Sequence, residues 1–265
     1  MRQRGVLHVT ALTVLSLFTG IGGLDLGLER AGIHTVGQVE IDPFCRTVLA
    51  RHWPEVPRHD DVRTAPGWWT ARPRPPVHLV AGGFPCQPFS AAGRRRGVAD
   101  HRWGWPWFLD VVRAVRPRYV LVENVAALLR DADAFGWLLG DLASLGFDAQ
   151  WSVLSACAMG APHVRERLFL VAHPHSAHGP VGLADPREPR RRHRSTHADL
   201  GSRTGTWVHP VHGLLEAERR SRRMADGVPD RLEPARVRAL GNAVVPAVGE
   251  HIGRLIVTHH QQHAT

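Results

Sequence analysis

The sequence predicts an α/β fold of the Rossmann-like type with a small irregular lobe, and three observations lead to it. Short stretches that read as strands recur at residues 14–18, 34–39, 77–80 and 119–122, and all but 34–39 are mainly apolar. Continuous apolar runs of this length are typical of strands buried on both faces of a parallel sheet. Segments with helical character alternate with them, and a glycine turn joins the first strand to the first helix. That turn has the geometry of a first Rossmann crossover.

The first crossover consists of the strand at 14–18, the turn Thr19-Gly20-Ile21-Gly22-Gly23 and a helix over 24–30. Its glycine spacing is not G-x-G-x-x-G, so the dinucleotide fingerprint is absent. Glu40 ends the second strand about twenty residues after the turn, where such folds place an acid on a ribose hydroxyl. A solvated glutamate at a strand end is an equally good interpretation of this residue alone.

Between the second and fourth strands the sequence predicts a helix from Pro43 to about residue 51, with proline at the favoured first position. A third strand is expected to end at residues 59–63. Residues 64–76, which are rich in Pro, Arg and Trp, are expected to form a surface excursion.

The stretch Gly82-Gly83-Phe84-Pro85-Cys86-Gln87-Pro88-Phe89-Ser90 follows the strand at 77–80, with its two glycines as the turn beyond the carboxyl end. Ligands and catalytic groups gather at that edge of an open α/β sheet. The flanking prolines keep the backbone of Cys86 out of the helical region. A thiol held stiffly on such a loop indicates a nucleophile, although a small buried hydrophobe is the commoner role of a lone cysteine.

Residues 91–103 have no apolar period and contain Arg94, Arg95 and Arg96 in a row. We expect this segment to be a mobile lid whose arginines contact phosphates. The more common alternative is a run of charged residues that simply face solvent.

The strand at 119–122 ends in Glu123, which therefore lies on the same sheet edge as Cys86 and is a natural acid–base partner for it. Residues 173–230 are rich in His, Arg, Pro and Gly and form an insert or small second lobe. The remaining predicted elements are helices at 106–116, 135–145 and 232–240, strands at 151–154 and 168–172, and a closing helix that ends near residue 257.

The composition is that of an intracellular globular protein with a polyanionic partner. The formal net charge is +9 and the pI is near 11.2, which favours nucleic acid. All 33 basic residues are Arg, which could equally reflect a GC-rich genome. No apolar stretch is long enough to span a bilayer, and no signal peptide is evident at the N-terminus. Three cysteines without C-x-x-C spacing predict a reduced, metal-free protein.

Taken together, these segments resemble the cytosine-5 DNA methyltransferase family over about residues 13–172 and 223–257. The family's motifs occur in the family's order, as Phe18-x-Gly20-x-Gly22-Gly23, Glu40, Asp61, Pro85-Cys86-Gln87, Glu123-Asn124-Val125, Arg165-x-Arg167 and Gly241-Asn242-Ala243-Val244. Such an ordered match is far more specific than any one motif. The resemblance assigns the catalytic residues Cys86, Glu123, Arg165 and Arg167. It assigns the cofactor-binding residues Phe18, Gly20, Gly22, Gly23, Glu40, Ile41, Asp61, Val62, Pro85 and Asn242.

The resemblance implies a Rossmann-like S-adenosylmethionine-dependent methyltransferase fold in which residues 1–172 form the catalytic and cofactor-binding domain. Residues 173–230 would recognise the target, and 231–265 would return to the catalytic domain. It implies transfer of a methyl group from S-adenosylmethionine, without a metal, to carbon 5 of a cytosine flipped out of double-stranded DNA, through a covalent adduct with Cys86. The late element Arg-Met-Ala-Asp-Gly-Val-Pro, residues 223–229, looks most like that of phage or prophage members.

The same resemblance implies a monomer in the cytoplasm of a bacterial or phage-infected cell, with a cognate restriction endonuclease as a separate partner. Three positions depart from the family's pattern. His163 stands where the family usually has Gln, Ala243 where it has Ser, and Ile41 where an aromatic residue is frequent. We expect neither His163 nor Ala243 to abolish activity, and with Ile41 the adenine would rest on an aliphatic face.

Three alternatives remain. An RNA (tRNA) cytosine-5 methyltransferase could share this fold and its Pro-Cys-Gln and Glu-Asn-Val motifs. A non-catalytic DNA-binding homologue is disfavoured because Cys86, Glu123 and both arginines are retained. A nucleotide-dependent oxidoreductase is disfavoured by the glycine spacing.

Overall fold

The protein is represented by a computed structural model that describes residues 11–85, 103–161, 163–175, 181–183 and 234–263. Seven strands in these residues form one sheet in the order β3-β2-β1-β4-β5-β7-β6. Their bounds are β1 (Thr13–Leu17), β2 (His34–Val39), β3 (Arg58–His59), β4 (Leu79–Gly82), β5 (Tyr119–Val125), β6 (Phe147–Ser155) and β7 (Glu166–Pro174).

Strands β1 to β5 pair in parallel, whereas β7 pairs antiparallel with both β5 and β6. The chain leaves β1 toward β2 on one side and returns to β4 on the other, so the strand order reverses between β1 and β4. The crevice outside the carboxyl ends of the strands at such a switch point is where ligands bind in open α/β sheets. The predicted Rossmann-like α/β fold is confirmed.

Helices cover both faces of the sheet. Those of the described residues are α1 (Gly23–Arg30), α2 (Pro43–His52), α3 (Ala65–Thr70), α4 (Trp105–Val115), α5 (Ala132–Ser144), α6 (Pro234–Asn242) and α7 (Pro246–Gln262). One apolar core lies between the sheet and α3, α4 and α5, and is centred on Phe108, Leu138 and Leu142. The other lies beneath α1 and α7, where Leu28, Ile252 and Ile256 are fully buried.

Helices α1 and α7 pack closely through paired glycines. A Cβ on Gly27 would overlap the carbonyl oxygen of Pro246, and a Cβ on Gly253 would overlap the side chain of Ala31. The sequence spaces two glycines four residues apart on each helix, at 23 and 27 and at 249 and 253. The C-terminal helix is thereby held directly against the helix that follows the glycine turn.

The structure corrects the prediction for residues 64–76, which are not simply a surface excursion. They contain α3, and its Trp69 is only 6% exposed. The indole packs over Gly37 of β2, where a Cβ would overlap it. This helix has one buried side, but six residues that include Pro66 and Gly67 are too short to display a helical period.

The bounds of several elements also differ from the prediction: β6 begins at Phe147 rather than residue 151, β7 begins at Glu166 rather than 168, and α7 ends at Gln262 rather than near residue 257. β3 ends at His59 rather than continuing to residue 63. β4 lies two residues later than expected and includes Gly82, which pairs with Leu17 and with Val122. A Cβ on Gly82 would overlap the backbone of Leu17, so the first of the two glycines belongs to the sheet and only the second begins the turn.

Several predictions fall outside the described residues. They concern Cys86, the lid expected at 91–103 except for Trp103, and the target-recognition region 173–230 except for 173–175 and 181–183. The described helices include none that is long and apolar enough to cross a bilayer.

Candidate functional site

Polar and glycine-rich loops collect at the carboxyl edge of the sheet, around the switch point. Residues 18–23 follow β1, Glu40 and Ile41 follow β2, residues 61–62 follow β3, and residues 83–85 follow β4. Glu123 lies near the carboxyl end of β5. The topology therefore brings the predicted site residues of these five strands to one edge.

The turn after β1 has an unusual backbone conformation that local sequence does not predict. Phe18 has φ of 51°, in the left-handed region that bulky residues rarely adopt, and Gly22 has φ of 83°. The indole of Trp53 packs against Gly22 and donates a 2.7 Å hydrogen bond from Nε1 to Oε1 of Glu29 on α1. Trp53 thus supports the unusual conformation of the turn.

Glu40 is tied to this turn by its carboxylate. Its Oε2 accepts a 2.7 Å hydrogen bond from the backbone N–H of Gly20, and its Oε1 accepts one of 2.7 Å from Asp42. Only 8% of the residue is exposed. A carboxylate offers about four lone-pair positions, so two remain for hydroxyl donors. The next residue, Ile41, is 69% exposed and presents an apolar surface beside it.

Asp61 follows β3 and is paired with Arg63. The guanidinium Nη2 lies 2.6 Å from Oδ2, and Nε lies 2.9 Å from Oδ1. These hydrogen bonds lower the pKa of Asp61 to about 2, so the residue is a carboxylate at any physiological pH. Val62 beside it is buried in the core. The pair holds Asp61 ionised at the rim of the crevice, with both of its oxygens already accepting from Arg63.

The loop after β4 is anchored up to the residue before Cys86. Phe84 is 3% exposed and packs edge-on against Trp103, and its carbonyl accepts a hydrogen bond of 3.2 Å from Nδ2 of Asn124. The carbonyl of Pro85 accepts a hydrogen bond of 3.3 Å from the backbone of Gly104. Asn124 on β5 therefore holds the backbone that leads into Cys86.

Glu123, the neighbour of Asn124, is buried against the same loop. Its Oε2 lies where a Cβ on Gly83 would be, and its Oε1 lies 3.2 Å from Nε of Arg167. Burial raises the pKa of Glu123, while the charges of Arg167 and Arg165 oppose that shift. Desolvation is the larger effect, so this carboxyl keeps its proton to higher pH than an exposed glutamate.

Arg165 faces a cavity of about 600 Å³ between the start of β7 and the junction of α6 with α7. Its Nη1 donates a hydrogen bond to the carbonyl of Gly241. His163, Arg167 and Val244 also line this cavity. The two arginines consequently differ: Arg167 contacts Glu123, whereas Arg165 links β7 to the C-terminal segment.

The C-terminal segment reaches the turn after β1. The carbonyl of Val244 lies where a Cβ on Gly23 would be, so the backbones of residues 23 and 244 are in direct contact. Asn242, at the end of α6, is exposed. The segment 241–245 therefore joins the cavity at Arg165 to the start of α1.

The structure brings the described site residues that follow β1 to β4, with Glu123 and the two arginines, to one edge of the sheet, whereas Asn242 lies on α6 between two residues that line the cavity. Cys86 lies one residue beyond the described segment that ends at Pro85. Sequence reasoning missed Asn124 as the partner of the catalytic loop, Trp53 as a support of the glycine turn, and a buried Asp25 beneath that turn. The Asn of Glu-Asn-Val was visible as part of a motif, whereas nothing local marked Trp53.

Comparisons with known proteins agree on one family. The family model described as C-5 cytosine-specific DNA methylase matches residues 12–205. Type II methyltransferase M2.BsuMI of Bacillus subtilis (strain 168) is 36% identical over 168 residues, which are 61% of this chain and 42% of that protein. Type II methyltransferase M.AquIA of Picosynechococcus sp. is 32% identical over 195 residues, or 64% of this chain and 79% of that protein. The matched region spans less than half of M2.BsuMI.

Solved structures agree on the fold. A putative DNA modification methyltransferase encoded within an Escherichia coli prophage is 26% identical with a TM-score of 0.52, over 63% of this chain and 47% of that one. Entamoeba histolytica methyltransferase EhMeth is 15% identical with a TM-score of 0.63, over 95% of this chain and 98% of that one. At that identity the likeness to EhMeth concerns the fold alone. The predicted methyltransferase fold and family resemblance are confirmed.

Proposed function

The chain belongs to the C-5 cytosine-specific DNA methylase family, and we propose that it methylates carbon 5 of a flipped-out cytosine in duplex DNA through a covalent Cys86 adduct. The observation that carries the proposal is the burial of Glu123 against Gly83, three residues before Cys86 in the chain. A carboxyl group of raised pKa beside a nucleophile loop is the acid–base arrangement that this chemistry needs.

The proposed methyl donor is S-adenosylmethionine, which supplies an electrophilic methyl group on its sulfonium. The residues at the edge fit its nucleoside part. The free lone pairs of Glu40 suit ribose hydroxyls, and exposed Ile41 offers an apolar face to an adenine ring. Ionised Asp61 would accept from the adenine amino group in place of Arg63. Phe18, Gly20, Gly22, Gly23, Val62, Pro85 and Asn242 would complete the pocket.

Cys86 would act as the nucleophile. Carbon 5 of cytosine is a poor nucleophile because the ring is aromatic. Addition of the Cys86 thiolate to carbon 6 forms a carbon–sulfur bond and makes carbon 5 enamine-like, so that it can take up the methyl group. Loss of the carbon 5 proton to solvent or a base then expels the thiolate and restores the aromatic ring.

Glu123 would hold and move the proton at ring nitrogen 3. As the thiolate adds, negative charge develops at nitrogen 3, and a protonated Glu123 donates to it. The proton returns to Glu123 when Cys86 leaves. Arg167, 3.2 Å from Oε1 of Glu123, would orient that carboxyl and donate to the base carbonyl.

The target base would enter the cavity of about 600 Å³ that Arg165 and Arg167 line. That volume is in the range of pockets that hold small ligands. Extruding a base costs a few kcal/mol, and contacts from these arginines and from Arg94–Arg96 would offset it. Region 173–230 would read the DNA sequence, its arginines being suited to guanine edges.

Labelled-methyl transfer tests the proposal. Purified chain is incubated with labelled S-adenosylmethionine and either unmethylated plasmid DNA or bulk tRNA, with Cys86→Ala as the test variant and Cys45→Ala, the same change at a buried cysteine of α2, as its control. We expect label in DNA from the wild type and the control, and none from Cys86→Ala. Label in tRNA alone contradicts the proposed substrate.

The cellular context is part of the same proposal. The relatives are named Type II methyltransferases, and on that ground we infer a bacterial or phage-infected cytoplasm, and a cognate restriction endonuclease acting separately on the same site. Bisulfite sequencing of DNA from cells that express the chain would report both the activity and the methylated sequence context.

A further inference from the structure

A polar cluster is buried beneath the glycine turn, outside the residues assigned to the reaction. Asp25, in the first turn of α1, is fully buried. Its Oδ1 accepts a hydrogen bond of 2.6 Å from Oγ of Ser16 on β1, and its Oδ2 accepts one of 2.8 Å from Nε2 of Gln38 on β2. Ser16 is 1% exposed and Gln38 is 0% exposed.

We propose that Asp25 is a positioning residue for the cofactor, because its carboxylate clamps the first turn of α1 to β1 and β2 and so holds the glycine turn in its binding conformation. The inference rests on the proposed function in that it takes S-adenosylmethionine as the ligand of this turn.

The geometry makes the clamp specific to the turn. Ser16 and Gln38 are direct partners in the parallel pairing of β1 with β2. The carboxylate of Asp25 accepts a hydrogen bond from each, so α1, β1 and β2 are joined at this one group. The residues between Ser16 and Asp25 include the whole turn, with its left-handed Phe18 and Gly22. The hydrogen bond between Ser16 and Asp25 joins the two ends of that loop and restricts the conformations that the loop can adopt.

Stability alone does not explain why these polar side chains are buried together. Burying a carboxylate is costly, and replacing a buried polar cluster by apolar groups of similar shape is often neutral or stabilising. Burial and the nearby charge of Glu29 raise the pKa of Asp25 to about 6, against the opposing hydrogen bonds from Ser16 and Gln38. The polar cluster is therefore better explained by the precise geometry that it gives the turn than by stability.

The surrounding contacts are consistent with this role. Thr19 donates from its backbone N–H and from Oγ1 to the carbonyl of Val39, at 3.2 Å in both cases. Gly20 donates to Glu40, which follows directly. The turn is thus bound to β2 at its first residues, and the clamp at Asp25 fixes the helix at its other end.

The test compares a variant that breaks the clamp with one that rebuilds it. Asp25→Ala removes both acceptors, so neither Ser16 nor Gln38 keeps its hydrogen bond to α1. The double variant Asp25→Asn with Gln38→Glu restores one donor and one acceptor by moving the carboxylate to β2. Leu142→Ala, a truncation in the other core on α5, controls for loss of stability.

Two measurements are made on the full chain: the dissociation constant for S-adenosylmethionine by calorimetry, and hydrogen exchange at residues 19–23 without cofactor. We expect Asp25→Ala to weaken binding at least tenfold and to speed exchange in the turn, the double variant to return within about threefold of the wild type, and Leu142→Ala to change neither.

Wild-type affinity in Asp25→Ala, an equal loss in Leu142→Ala, or no recovery in the double variant overturns the inference. A wild type that does not bind S-adenosylmethionine contradicts the proposed function instead. In that case the exchange rates still decide whether Asp25 holds the turn.

Discussion

Oε2 of Glu123 occupies the space beside Gly83 in which any other residue would carry its Cβ. The carboxyl group of β5 and the backbone after β4 are therefore in direct contact, and the fit depends on glycine at residue 83. Neighbouring Asn124 reinforces the same contact through its hydrogen bond to the carbonyl of Phe84.

Gly83→Ala is expected to displace Glu123 and reduce methyl transfer about 100-fold, because a misplacement of about 1 Å in a catalytic group can cost that much. Affinity for S-adenosylmethionine should change less than about twofold, since residue 83 is on the Glu123 side of the crevice. Gly140→Ala on α5, where a Cβ meets nothing within 4 Å, is the control. Full activity in Gly83→Ala would mean that Glu123 does not need its observed position.

Glu123→Gln is expected to reduce the rate of methyl transfer by about 10² to 10⁴, the usual contribution of a general acid or base. Burial raises the pKa of Glu123, so the protonated form persists to higher pH and is lost as the pH rises through that pKa. The pH profile of kcat/KM should therefore fall on its alkaline side in the wild type and lose that limb in the variant. An identical profile in both proteins argues against this proton donor.

Glu40→Gln is expected to weaken S-adenosylmethionine binding at least tenfold. Both carboxylate oxygens accept backbone N–H groups, from Gly20 and Asp42, and an amide can accept at only one end. Calorimetry on the variant measures the effect, with Glu55→Gln at an exposed position as the control. If both variants bind as the wild type does, the pocket lies elsewhere.

Gly27→Ala is expected to destabilise the fold by about 1–3 kcal/mol, the usual cost of overpacking a tight contact. A Cβ there overlaps the carbonyl of Pro246 and pushes α7 from α1. Gly136→Ala on α5 has open space around its Cβ and should stabilise by about 0.5–1 kcal/mol, as alanine favours helix over glycine. Urea unfolding of both variants measures the difference. Equal effects would contradict the packing described here.

The parts of the fold that follow from local pattern could be predicted. The strand predicted at 34–39 matches β2 to the residue, because Gly32 shortly before it and the acidic Glu40 directly after it mark its ends. Helix α3 could not be predicted, because a six-residue segment that contains Pro66 and Gly67 shows no helical period. Only the contact of Trp69 with Gly37 reveals its buried side.

Some residues of the candidate site could likewise be predicted from the sequence and others could not. Glu40 and Glu123 could be predicted because each lies at the carboxyl end of a predicted strand, and the ends of parallel strands meet at one edge. Asp25 could not, since an acid in the first turn of a helix is ordinary in any solvated helix. Its partners are 9 and 13 residues away in the chain, and only the pairing of β1 with β2 brings them together.

Trapping of the covalent adduct tests the central proposal most directly. In long duplex DNA with 5-fluorocytosine in place of cytosine, the fluorine cannot leave carbon 5 as a cation, so a Cys86 adduct that has taken up a methyl group persists. With S-adenosylmethionine present, we expect a denaturation-resistant protein–DNA complex from the wild type and from Cys45→Ala, none from Cys86→Ala, and the link at residue 86 by peptide mapping. Methylation of ordinary DNA by Cys86→Ala, or a link at another residue, would contradict the account.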